Sequence, residues 1–113
     1  MVKIEPNERS AIVYKLLELA KENKLNKFQK EKLYDIVYNL TNRTEKQKEK
    51  FYRFYNLLEG QKQNYRLCDM ARYYNCSSSN IRCAIGSIRN SLINLKDEGQ
   101  MLILKTIVEE CVN

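Results

Sequence analysis

A chain of 113 residues can bury one core but not two independent ones. A hydrophobic fraction of 43% argues against global disorder, while three glycines and one proline argue against many short strands and tight hairpins. Twenty Lys and Arg against fourteen Asp and Glu give a net charge of +6, and the absence of histidine removes the commonest general base and the commonest transition-metal ligand.

The charge is unevenly spread. Residues 1–40 hold eight basic and six acidic groups, residues 41–95 ten and four, and residues 96–113 two and four. The middle of the chain is therefore the part that attracts a polyanion. Cys68, Cys76, Cys83 and Cys111 contain no C-x-x-C pair, so neither a metal site nor any cofactor is expected. With no apolar leader and no apolar run near 20 residues, we expect no membrane association and a cytoplasmic protein with free thiols.

In chain order, residues near 7–23 form a first helix, with Ile12, Val13, Leu16, Leu17 and Ala20 at helical spacing after Pro6. Asn26 is the N-cap of a second helix over about 27–40, whose stripe is Phe28, Leu33, Ile36, Val37 and Leu40. These two read as a helical hairpin, residues 1–43, whose apolar stripe serves either as core or as a dimer surface. Thr44 and Gln47 make a capping box that opens a third helix, carrying Phe51, Phe54, Tyr55 and Leu58 and closed by Gly60. Gln61 to Tyr65 is a polar link. A short helix follows at about 67–74, then a break and a longer helix at about 78–95. After the Lys96-Asp97-Glu98-Gly99 punctuation a last helix runs through Met101, Leu102, Leu104, Ile107 and Val108. The expectation is an all-α chain of about six helices, the N-terminal hairpin preceding a helical domain at 44–113.

The segment Leu67 to Leu95 meets the requirements of a helix-turn-helix. Ala71 is small where two helices touch, and Asn75 tolerates a left-handed turn. Leu67, Met70, Tyr74, Cys76, Ile81 and Ala84 are spaced to plug the angle, and Ser77 caps the second helix. If that second helix enters the major groove, its first two turns carry the base-reading candidates Ser78, Ser79, Arg82 and Cys83. Arg82 leads, because a guanidinium pairs with guanine O6 and N7 together; its plain alternative is a solvent charge or a partner for Asp69. Lys62, Arg66, Arg72 and Arg89 are candidate phosphate contacts, with Ser77 and Asn80 at the helix N-terminus. Tyr52, Tyr55, Tyr73 and Tyr74 read as core or half-buried residues. No motif arranges carboxylates or a lysine for acid–base chemistry, so an enzyme is not expected.

From Thr44 to about Val108 the chain resembles region four of housekeeping-type bacterial sigma factors. The likeness runs through Thr44-Glu-Lys-Gln-Lys-Glu-Lys50, Phe51-Tyr-Arg-Phe-Tyr55 and Leu58-Glu-Gly60, then Leu67 to Leu92 and the apolar tail. It implies major-groove reading of double-stranded DNA and contact with RNA polymerase. Two departures stand out: nothing here is long enough to be the family's promoter-melting domains, and the reading helix opens with Ser77-Ser78-Ser79-Asn80 where the family has charged residues. Cys83 stands where the family has a Gln-like reader. The expected function is thus a sequence-specific transcription regulator, acting as a homodimer through the 1–40 hairpin or as a sigma-like adaptor. The alternative is an interaction module that binds RNA polymerase or a sigma factor without reading DNA.

Overall fold

The computed structural model describes residues 4–112, and among them the chain is all helical. Six helices follow in order: α1 (Pro6–Lys21), α2 (Lys27–Tyr38), α3 (Glu45–Phe54), α4 (Leu67–Tyr74), α5 (Ser78–Ile93) and α6 (Glu98–Val112). Starts are set by local hydrogen bonds. Pro6 occupies the first position of α1, where its missing N–H costs nothing. Asn26 accepts from the Gln29 amide at 2.8 Å and Gln29 answers on the Asn26 amide at 2.9 Å, and Thr44 and Gln47 repeat that reciprocal box at α3. Asp97 opens α6 by accepting from the Gly99 amide at 2.8 Å, so Gly99 belongs to the first turn rather than to a break.

Further expectations are corrected. The third helix stops at Phe54, well before Gly60, because Asn56 takes a left-handed φ of 62° and its amide side chain crosses to the Ala20 carbonyl at 3.1 Å. Gly60, at φ 74°, turns the link that follows. Of the stripe that was open to either core or dimer surface, Phe28 lies outside the core at 64% exposed, and Leu102 of α6 is 56% exposed. Tyr73 is likewise exposed, its ring stacked on a guanidinium rather than packed inside.

The core is continuous through the molecule. Val13 and Leu16 of α1, Leu33 and Val37 of α2, Phe51 of α3, Met70 of α4, Ile81, Ile88 and Leu92 of α5, and Met101, Leu104 and Ile107 of α6 are fully buried in it. The helices on either side of residue 43 share that core. The stripes of α1 and α2 are spent there, α1 packing on α6 and α5, and α2 on α6 and α3. A Cα radius of gyration of 13.7 Å is close to the ~13 Å expected of one folded unit of this size.

Polar anchors fix the position of α5. Arg9 of α1 donates to the Ile93 carbonyl at 3.2 Å, to the Leu95 carbonyl at 2.6 Å and to Glu98, closing the C-terminal end of α5 with a cation where its dipole is negative. Lys21 donates to the Phe54 carbonyl at 2.9 Å and to the Tyr65 carbonyl, with its ammonium 3.6 Å from the centre of the Phe54 ring. Arg53 joins α3 to α4: its guanidinium lies 4.2 Å from the centre of the Tyr73 ring and donates to the Tyr74 hydroxyl at 3.1 Å, which in turn donates to Glu49 at 2.8 Å. Burial and the Glu49 carboxylate hold the Tyr74 hydroxyl neutral, its pKa pushed up to about 12.

Candidate nucleic-acid interface

The turn between α4 and α5 is built as the residue types suggest. Asn75 sits at φ 53°, ψ 52°, in the left-handed region. The Cys76 amide donates to the Ala71 carbonyl at 3.0 Å and the Asn75 amide to the Arg72 carbonyl at 3.3 Å, which satisfies two of the carbonyls that end α4. Ser77 then caps α5, its hydroxyl accepting from the Asn80 amide at 3.1 Å. Met70 of α4 and Ile81 and Ala84 of α5 are buried, with Leu67, Tyr74 and Cys76 partly buried against the core.

At about 100° per residue, Ile81, Ala84, Ile85, Ile88 and Leu92 form the packed face of α5. The opposite face is Ser79, Cys83, Gly86 and Asn90, a shallow surface of small side chains. Of these, Ser79, Cys83 and Asn90 are exposed, and the space above Gly86 is open except for the Arg89 guanidinium. Arg82 is exposed on one edge of this face and makes no ion pair among the described residues. Asp69 is engaged by Arg66 instead, through the Arg66 amide at 3.0 Å and guanidinium at 3.3 Å. Those bonds hold the Asp69 carboxyl below the usual carboxylate range. Ser78 is half-buried and, about 100° around the helix from Ser79, lies away from the middle of the exposed face.

The remaining sequence candidates separate into groups. Ser77 and Asn80 are exposed together at the α5 N-terminus. Arg72 is exposed on α4, Arg66 is exposed at its N-cap, and Lys62 is exposed on the preceding link. Arg89 stands apart: it is half-buried on the flank facing α1, its guanidinium 5.1 Å from the centre of the Tyr14 ring and its Nε without a partner among the described residues.

Two cations beside the shallow face were not among the candidates. Lys50 of α3 donates to the Asn80 side chain at 2.9 Å. Arg43, on the α2–α3 link, reaches the Ser87 carbonyl at 3.1 Å and the Ser91 hydroxyl at 2.9 Å through its Nε. Both lie remote from α5 in sequence, and only the packing of α3 on α5 brings them there. The basic surplus of residues 41–95 was the one signal that included them.

All four cysteines are unpaired, Cys68 and Cys83 being exposed. Among the described residues no group of three metal-ligating side chains converges, and no helix is long and apolar enough to cross a membrane. Comparison with protein families, curated proteins and solved structures finds no match to this chain.

Proposed function

We propose that this protein is a sequence-specific DNA-binding transcription regulator that lays the N-terminal half of α5 in the major groove. The observation that carries this reading is the α4–turn–α5 unit. A left-handed Asn75 and a Ser77 cap present an exposed, acid-free helix face with Arg82 at its edge. Short side chains at Ser79, Cys83 and Gly86 favour close approach to base edges, and Arg82 has the length and geometry to address guanine. The +6 balance of residues 41–95 supplies attraction to phosphate. The resemblance of residues 44–108 to sigma region four extends the proposal to an adaptor that also touches RNA polymerase.

Selection from a pool of random duplexes at two salt concentrations tests this. The wild-type protein is expected to enrich a motif, and Arg82→Ala to weaken or relax it at one position by roughly 1–3 kcal/mol. Retention without enrichment, or no retention, overturns sequence-specific reading and leaves polymerase or a sigma factor as the partner, the reading that the serine-rich start of α5 favours.

A further inference from the structure

The shallow face of α5 has cations along both edges, contributed by different parts of the chain. Arg82, from α5 itself, is exposed on one edge. On the other edge Lys50 meets Asn80 and Arg43 meets Ser87 and Ser91. Asn80 and Ser87 are seven residues apart on one flank, so the two cations are anchored about 10 Å apart along the helix axis. A helix lying in the major groove runs between two phosphate-bearing strands, and cations on both of its edges fit that geometry.

We propose that Arg43 and Lys50 form a second phosphate-binding edge, gripping the backbone of the strand opposite the one addressed by Arg82. This deepens the DNA-binding reading above and rests on it. Each of the two is held in place without having its charge neutralised. Arg43 spends its Nε on a carbonyl and a hydroxyl and its Nη1 on the Asn42 carbonyl at 3.2 Å, all uncharged acceptors, while its Nη2 makes no hydrogen bond among the described residues. Lys50 bonds to the neutral amide of Asn80 and lies 5.6 Å from the centre of the Tyr74 ring. Three neighbouring cations, Lys48, Arg53 and Arg66, are by contrast each within salt-bridge distance of a carboxylate. Arg43 and Lys50 are thus oriented by uncharged groups and keep their charge for a polyanion. Because Arg43 lies before the region that resembles a sigma factor, the N-terminal part of the chain takes part in the interface.

The test is the salt dependence of binding to a duplex that the wild-type protein retains, for Arg43→Gln, Arg43→Lys and Lys50→Gln. Gln at 43 keeps an amide donor for the Ser87 carbonyl but no charge. Each Gln variant is expected to flatten the log–log slope by about 0.9, which is about 3.5-fold less affinity lost between 50 and 200 mM salt, with the preferred sequence unchanged. Arg43→Lys should restore the slope, a rescue that a purely structural role does not produce. Wild-type slopes in both Gln variants would overturn this inference and leave the DNA-binding reading intact. Failure of the wild-type protein to bind any duplex would overturn both.

Discussion

At Asn75 the backbone is left-handed, and a β-carbon without a local hydrogen-bonding group is penalised there. Asn75→Ala should lower stability by about 1 kcal/mol while Asn75→Gly stays within about 0.5 kcal/mol of wild type, as read from urea midpoints. Lys21 gives a different single-residue signature. Burial is the main cause that pulls its pKa down to about 8, against 10.5 for an ordinary lysine, and the charge of Asp69 opposes it. The folded protein therefore gives up this proton near pH 8 and the unfolded chain near 10.5. The cost of burying the ammonium is felt in full below pH 8 and fades as pH rises through that window, where the unfolded state binds more protons. Wild-type stability relative to Lys21→Met should thus rise from pH 8 to 10, and a flat difference in urea midpoint would contradict the assignment.

The elements show what the residue pattern carries and where it stops. The Asn26 cap, the box at Thr44, the Asn75 turn and the Ser77 cap are all local, closed within three or four residues, and so they were legible in the sequence. The end of α3 was not, because Asn56 breaks the helix in concert with a carbonyl of α1 that lies 36 residues away. The sequence leaves Phe28 open for a related reason: stripe spacing does not separate core from surface, and only the packing of α2 on α6 and α3 leaves it outside the core. In α5 the candidate bases-facing residues were named from position within the helix alone. Which of them share the exposed face depends on the neighbours: Ser78 is half-buried, as is the phosphate candidate Arg89, which lies against Tyr14 of α1. Removing the cap with Ser77→Ala should cost about 1 kcal/mol, and a thermal melt checks it.

For the whole molecule, one core means one transition. Leu16 of α1 is fully buried among residues drawn from both halves of the chain, so Leu16→Ala should cost about 2–5 kcal/mol and shift the unfolding of all six helices together. Separate transitions for residues before and after 43 would contradict a shared core. That core is also what brings Arg43 and Lys50 to α5, a placement that no spacing in the sequence contains. The central claim, that the shallow face of α5 is the surface that meets DNA, is tested most directly by thiol protection. Cys83 lies exposed in the middle of that face, while Cys111 is half-buried on α6, against Gln29. On adding a duplex that the protein retains, alkylation of Cys83 should slow at least tenfold while that of Cys111 is unchanged. Equal rates at Cys83 with and without bound duplex would show that α5 is not in the groove.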